Sequence, residues 1–202
     1  EWDLPEARLK GVRALVQRGV KVRVLTNSLA STDVPAVYAG YKRYRRALLE
    51  AGVELHELKP TADNTARRDR PSGSRDDEDK SSLIGSSHAS LHAKTMAFDR
   101  RALFVGSMNL DPRSVFTNTE IGVVVEHPGL VAQRIETIDS RLPEISYRLE
   151  LTPAAGPDSA PGTAWVTTQD GQEVRYSSEP MTRAWQRFKI WFYSLLPIEH
   201  LL

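Results

Sequence analysis

The first 58 residues alternate between two hydrophobic periodicities, and this alternation is the strongest constraint on the fold. Residues 4–18 and 35–51 carry apolar side chains three and four positions apart, which predicts amphipathic helices. Residues 20–25 alternate apolar and basic side chains and are predicted to form a half-buried strand, with a second strand at residues 53–58. Helices and strands in alternation, joined by short links, predict an α/β fold in which a mixed β-sheet is flanked by helices.

Composition narrows the classes of function. A chain of 202 residues, 40% hydrophobic and 26% charged, can build one domain with a real core and could hardly hold two. The net charge of +1 gives no global attraction for polyanions, so we expect no nucleic-acid partner. Because the chain has no cysteine and no carboxylates at metal-ligand spacing, we expect no metal and no other cofactor. No apolar run approaches the ~20 residues that a membrane span requires.

Changes of composition divide the chain. Residues 59–82 hold almost no apolar side chain and mix both signs of charge, which predicts a flexible surface insertion or, as an alternative, a loop that gates a substrate. The insertion interrupts a predicted catalytic lobe at residues 1–150. A C-terminal extension is predicted at residues 151–202, and it begins with a Pro- and Gly-rich loop. The chain opens at Glu1 without an initiator methionine, so we expect it to be part of something longer.

The stretch from His92 to Asn109 carries the candidate chemistry. It is predicted to form two short strands joined by a tight turn that begins at Asp99. His92 and Lys94 lie two positions apart, so a strand would point both side chains off one face of the sheet. Asp99 ends this strand, where a carboxylate can accept hydrogen bonds from turn amides, and a structural role is expected for it.

The second predicted strand leads into small and polar residues. Gly106 is expected to let the backbone approach a ligand closely, and Ser107 and Asn109 add a hydroxyl and a carboxamide. Together with the imidazole and the ammonium group, these side chains suit a phosphate group. One group can attack phosphorus or transfer a proton, and the others can bind the phosphate oxygens.

This pattern, His-x-Lys-x4-Asp-x6-Gly-Ser-x-Asn, resembles the signature of the phospholipase D superfamily, and every position is filled at the family's spacing. The resemblance implies that His92 is the nucleophile that forms a phosphohistidine, that Lys94 and Asn109 hold the phosphate oxygens, and that Ser107 supports them. It also implies that Glu120, in a strand predicted at residues 119–126, bonds the imidazole. Such a carboxylate would fix the ring tautomer.

Similarity beyond the signature points to a lipid substrate. Residues 22–33, residues 110–114 and the C-terminal residues 195–202 resemble the C-terminal half of bacterial cardiolipin synthases of the C type. This implies phosphatidyl transfer, with phosphatidylglycerol and phosphatidylethanolamine as candidate substrates, at the surface of the bacterial membrane and otherwise in the cytoplasm. Asn27, Ser28 and Arg113 are candidates to line the entrance. A phosphodiester hydrolase and a non-catalytic, membrane-binding lobe remain as alternatives.

Two features of the chain bear on its partners. Full members of the superfamily carry two copies of the signature and this chain has one, so the second half-site is expected from a missing N-terminal half or from a second copy of the chain. After a predicted hairpin across Asp170–Gly171, residues 184–202 are predicted to form an aromatic, amphipathic helix that Pro197 ends or kinks. That helix is expected to dock on the lobe or to lie in the headgroup region of a membrane.

Overall fold

The computed structural model describes residues 4–32, 35–60, 91–109, 118–154, 156 and 159–194. The helices within these ranges are α1 (Leu4–Gln17), α2 (Pro35–Glu50), α3 (Pro128–Ile145) and α4 (Ala184–Ser194). The strands are β1 (Arg23–Asn27), β2 (Glu54–Leu58), β3 (Thr95–Phe98), β4 (Ala102–Gly106), β5 (Gly122–Glu126), β6 (Ser146–Thr152), β7 (Gly162–Gln169) and β8 (Gln172–Tyr176).

The strands form two sheets. The larger sheet has the order β1-β2-β6-β7-β8, in which β1 and β2 are parallel and the other neighbours are antiparallel. The smaller sheet, β3-β4-β5, is antiparallel throughout. The α/β fold with a mixed sheet flanked by helices is therefore confirmed.

The main core lies on one face of the larger sheet. Leu55, Tyr147 and Trp165 are buried there, and the apolar stripes of α1 and α2 supply Val12 and Leu48. A second cluster joins α2 to α4 and is formed by Leu29, Tyr38, Ala39 and Ile190. The C-terminal helix is therefore docked on the lobe through one of its sides.

Several element boundaries differ from those expected. β1 begins at Arg23, after a non-regular segment at residues 20–22, and β5 begins at Gly122 instead of at residue 119. β6 was not anticipated, because it follows α3 directly, without a glycine to separate the two elements. β7 and β8 form the hairpin expected across Asp170–Gly171, and they extend the same sheet as β1, β2 and β6.

Some of the predictions fall outside the described residues. These are most of the insertion expected at residues 59–82, the entrance residue Arg113, and the part of the C-terminal helix beyond residue 194. Of the expected insertion, Lys59 is described, and it is buried with its amide bonded to the Ile145 carbonyl. Among the helices described, none combines the length and the apolar character needed to cross a bilayer.

Candidate active site

The small sheet brings distant parts of the signature to one of its ends. Because β3, β4 and β5 are antiparallel, the start of β3, the end of β4 and the start of β5 lie at the same end of the sheet. Thr95 pairs with Val105, and Gly106 pairs with Gly122. The residues just outside these pairs are the candidate site residues. They are His92 and Lys94 before β3, Ser107 and Asn109 after β4, and Glu120 before β5.

Asp99 lies at the opposite end of β3. Asp99 and Arg100 have φ of 51° and 57°, and the Arg101 amide donates to the Phe98 carbonyl at 2.9 Å, which defines a type I′ hairpin turn. Aspartate tolerates this left-handed conformation better than most residues. A four-residue strand separates Asp99 from Lys94, and this separation supports the structural role expected for its carboxylate.

The sequence suggested that His92 and Lys94 lie in a strand, but in the structure they precede it. β3 begins at Thr95, and the pairing with β4 extends only to the Lys94 carbonyl, which accepts from the Gly106 amide at 3.1 Å. The His92 side chain is exposed, and the Lys94 ammonium donates to the His92 carbonyl at 3.2 Å. The imidazole and the ammonium group therefore lie on a short irregular segment where a substrate can reach them.

Asn27 fixes this segment to the larger sheet. Its carboxamide oxygen accepts from the Leu91 amide at 2.7 Å, and its carboxamide nitrogen donates to the Leu91 carbonyl at 2.9 Å. The side chain thus takes the place of a backbone partner for Leu91. Ser28 is buried, and its hydroxyl bonds that of Ser31 at 3.1 Å. Asn27 therefore holds the residue that precedes His92, and the entrance role suggested for Asn27 and Ser28 stays a prediction.

Ser107 connects β4 to the segment before β5. Its amide donates to the Ile121 carbonyl at 2.9 Å, and its hydroxyl accepts from the Ile121 amide at 3.0 Å. The same hydroxyl donates to the Glu120 carboxylate in a short bond of 2.5 Å. Ser107 therefore holds Glu120 at the site edge. The bond between Glu120 and the imidazole of His92, which the family resemblance implies, stays a prediction.

Gly106 is required for close packing of the strands. A Cβ atom there would lie 2.5 Å from the Ile121 carbonyl oxygen and 2.8 Å from the Gly122 Cα, nearer than such atoms approach in proteins. The sequence suggested that Gly106 allows close approach of a ligand. In the structure it allows close approach of the backbone at Ile121 and Gly122. The missing side chain allows Ser107 to reach Ile121.

Asn109 is exposed and is the last described residue of the signature segment. It stands two positions beyond Ser107, at the same end of the small sheet as His92 and Lys94. An imidazole, an ammonium group, a hydroxyl, a carboxamide and a carboxylate are thereby gathered at one edge. Such a set can attack a phosphodiester and neutralise the charge on its oxygens.

A buried ionic network behind the site was missed by sequence reasoning. The fully buried Glu57 accepts from the Trp165 indole at 2.8 Å and from the Tyr41 hydroxyl at 3.2 Å. Arg45 lies 3.4 Å from Glu57 and 3.5 Å from Glu179, and its guanidinium stacks 4.7 Å from the Trp165 ring centre. The network ties α2 and β2 to the C-terminal part of the chain. The residues of this network are far apart in the sequence, so no local sequence pattern could predict it.

Lys59 directly follows β2 in the larger sheet. Its ammonium lies 5.5 Å from the centre of the Tyr147 ring, a cation–π arrangement. Burial lowers the pKa of this lysine, although the negative charge of Glu144 acts in the opposite direction. Burial likewise raises the pKa of Tyr147 to about 12.

Comparison with known proteins agrees with this geometry. The family described as "Cardiolipin synthase, PLD-like domain" matches residues 4–142, which include the whole signature. The chain belongs to this phospholipase D-like family. It is 41% identical over 193 residues to cardiolipin synthase C of Escherichia coli K12, covering 93% of the chain and 36% of that protein.

A second relative is more distant. Cardiolipin synthase A of Pseudomonas aeruginosa is 29% identical over 148 residues, covering 73% of the chain and 24% of that protein. The chain therefore spans about a third or less of the length of these curated relatives. Membership in the phospholipase D-like family accounts for the spacing of the signature and for the resemblance beyond it.

Proposed function

We propose that the chain supplies one of two half-sites of an enzyme that transfers a phosphatidyl group between phospholipids. Family membership supports the lipid chemistry. The observation that carries the proposal is the gathering of the signature residues at one end of the β3-β4-β5 sheet, where antiparallel pairing brings three chain segments together. A phosphodiester bound at this edge would meet a nucleophile and several oxygen-binding groups at once.

The first step is attack by His92 on phosphorus of the donor lipid. A nitrogen–phosphorus bond forms, and the bond from phosphorus to the departing alcohol breaks. A histidine of the second half-site gives its proton to that alcohol. With phosphatidylglycerol as donor the departing alcohol is glycerol, and with phosphatidylethanolamine it is ethanolamine. The phosphohistidine divides one difficult displacement into two easier ones.

The neighbouring groups stabilise the charge that develops on phosphate. Lys94 and Asn109 donate to the non-bridging oxygens, where fixed donors stabilise a pentavalent transition state more than the ground state. Ser107 holds the Glu120 carboxylate at this edge, and Glu120 fixes the tautomer of His92.

The second step returns the enzyme to its starting state. The hydroxyl of an acceptor attacks phosphorus and passes its proton to the second histidine, and His92 leaves. Phosphatidylglycerol as acceptor gives cardiolipin, whereas water gives phosphatidate. The acceptor therefore decides whether the enzyme is a synthase or a hydrolase. The reaction would take place at the surface of the bacterial membrane, where both lipids are present.

The second half-site comes from a further lobe or from a second copy of the chain. The small sheet supports this proposal, since β5 and the residue before it expose Ile121, Val123 and Val124 beside the site. Apolar residues that are grouped and exposed in this way mark a surface that another protein part can cover. Covering it would also exclude water from the phosphohistidine, which favours transfer over hydrolysis.

The experiment is lipid turnover on vesicles of phosphatidylglycerol, with and without phosphatidylethanolamine, by the wild type and by His92→Ala. Chromatography of the products separates cardiolipin from phosphatidate. We expect His92→Ala to lose the turnover entirely, because no other group forms the covalent intermediate. Turnover that persists in His92→Ala would contradict the proposal.

A matched control is provided by His127, an exposed histidine outside the site. Its Nδ1 caps α3 by accepting from the Leu130 amide at 3.0 Å. His127→Asn keeps a side chain that can cap the helix, so it should fold as the wild type does and retain full turnover.

A further inference from the structure

α4 presents an aromatic surface to solvent. We call Trp185, Phe188, Trp191 and Phe192 the aromatic face of this helix. The exposed fractions of these residues are 69%, 52%, 54% and 51%, in that order. Trp185 stacks on Phe188, and Phe188 packs on Trp191, each with ring centres 5.7 Å apart. The rings are therefore ordered against one another before any partner arrives.

The orientation of this face is fixed by the opposite side of the helix. Ile190 is only 1% exposed and packs against Leu29, Tyr38 and Ala39. Arg187 donates to the carbonyl and to the hydroxyl of Thr182, at 3.0 and 3.1 Å. The Ile190 contacts hold this side of the helix against α2 and leave the aromatic rings on the outer side.

The charges around the aromatic face are of one sign. Residues 177–194 contain Arg183, Arg187 and Lys189, and their one acidic residue is Glu179. Glu179 is buried and already paired with Lys42 at 2.8 Å, so it does not offset the basic side chains at the surface. Arg183 and Lys189 are exposed. The surface is thus aromatic and basic together.

We propose that the aromatic face of α4 docks on a bilayer that contains anionic phospholipid, with its rings in the headgroup region. Tryptophan and phenylalanine beside basic residues suit this region, where apolar rings enter and cations meet lipid phosphates. Pairing of the face with the same face of a second copy would instead bring exposed residues of like charge, such as Arg183 in each copy, close together.

The turn after β1 links the support of α4 to that of the candidate active site. Leu29, against which Ile190 packs, stands two residues beyond Asn27. Asn27 in turn holds the backbone of Leu91, the neighbour of His92. One short turn thus supports both the helix and the segment that carries the nucleophile. The docking goes beyond the proposed reaction and does not require it.

The test is co-sedimentation with vesicles of phosphatidylglycerol and phosphatidylcholine, compared with vesicles of phosphatidylcholine alone. It uses the full chain carrying His92→Ala, so that turnover does not change the lipid. We expect binding to the anionic vesicles that weakens as salt is raised. In this background, Trp185→Ala with Trp191→Ala should lower the affinity by about tenfold or more, because the exposed rings no longer enter the bilayer.

Phe188→Ala and Phe98→Ala form a matched pair, since the two rings are 52% and 51% exposed. Only Phe188→Ala should weaken vesicle binding, and far-ultraviolet circular dichroism checks that each variant folds. Absence of binding to anionic vesicles, or equal binding by the variants of Trp185 and Trp191, would overturn the proposal. So would a change of these variants from dimer to monomer with unaltered vesicle binding, because the face would then join two copies.

Discussion

Ser107 shows how much one small side chain can determine at the candidate site. Its hydroxyl accepts from the Ile121 amide and donates to Glu120, and its amide reaches the Ile121 carbonyl. These bonds fix the edge at which β4 ends and β5 begins. Because the edge is exposed, the bonds should matter more for the position of Glu120 than for the stability of the fold.

Ser107→Ala should therefore separate activity from stability. We expect lipid turnover to fall about a hundredfold, as when one positioned polar group is lost from an active site. The free energy of unfolding should fall by only about 1 kcal/mol, the usual net value of a hydrogen bond. Ser140→Ala, which removes an exposed hydroxyl bonded to the Thr137 carbonyl, serves as the control for turnover. Wild-type turnover in Ser107→Ala would show that the hydroxyl does not position the site.

Gly106→Ala should disturb the same edge through the backbone. The added methyl group would meet the Ile121 carbonyl oxygen at 2.5 Å, so the two strands must separate. We expect a loss of about 2 kcal/mol in the free energy of unfolding, in the range for overpacking, together with loss of turnover. Urea denaturation gives the first quantity. At Gly129 the nearest atom to an added Cβ is 3.6 Å away, so Gly129→Ala should change neither property.

The identities of the candidate residues could be predicted from the sequence, but their backbone setting could not. The spacing of His92, Lys94 and Asn109 is a local property that the sequence displays directly. The segment that carries His92 is held by Asn27, which is 64 residues from Leu91 and hydrogen-bonds both the amide and the carbonyl of Leu91. Contacts at that separation leave no periodic pattern in the chain.

Among the elements, α4 depends on a buried ionic network for its attachment. Glu179, in the segment between β8 and α4, binds Lys42 and Arg45 of α2, and Arg45 also binds Glu57 of β2. Burial raises the pKa of the Glu179 carboxyl, but the hydrogen bond and charge of Lys42, with the charge of Arg45, lower it below its ordinary value. The ionised form of Glu179 is therefore the one that stabilises the fold.

The attachment should weaken in acid. Since the pKa of Glu179 is lower in the folded than in the unfolded chain, its contribution is complete above about pH 4.5 and is lost as the pH falls below that value. Glu179→Gln should lower the free energy of unfolding at neutral pH by about 2 kcal/mol. It should also flatten the dependence of stability on pH in the acid range. Thermal unfolding measured from about pH 3 to pH 7, the range in which carboxylates titrate, tests both effects. Identical slopes of stability against pH for the wild type and Glu179→Gln would contradict this role.

Elements were predictable where a break in the sequence marks their ends. Gly19 and Gly52 follow α1 and α2, and the ends of both helices were expected to within one residue. β6 shows the opposite case, because α3 runs into it without a break and contains Pro143 in its last turn. The alternation of Tyr147, Leu149 and Leu151 was the signal that could have revealed this strand. Of these three residues, Tyr147 and Leu149 are buried.

For the whole molecule, the decisive question is what covers the small sheet. Val105 and Val123 are paired and exposed on one face, and Val124 is exposed on the other. Exposed apolar residues on both faces of a sheet indicate that another protein part packs against it. A second copy of the chain or a further lobe would complete it and supply the second histidine.

Mixing experiments can identify the source of the second half-site. If two copies form each site and both copies of His92 are needed, adding inactive His92→Ala at constant total protein should reduce turnover with the square of the wild-type fraction. A linear decrease would show that each chain works independently of its copies. Sedimentation velocity on the same mixtures gives the mass of the active species.

The Trp165 contact to Glu57 limits how this chain can be divided. The region that matches the family ends at residue 142, before β6, β7 and β8 begin. A chain shortened at that point would turn β2 from an interior strand into a sheet edge with free amides and carbonyls, and it would deprive a buried carboxylate of its indole donor. We expect such a fragment to self-associate through β2. The residues after 142 thus cover the side of β2 that would otherwise be open, so the two parts of the chain should be transferred together in protein engineering.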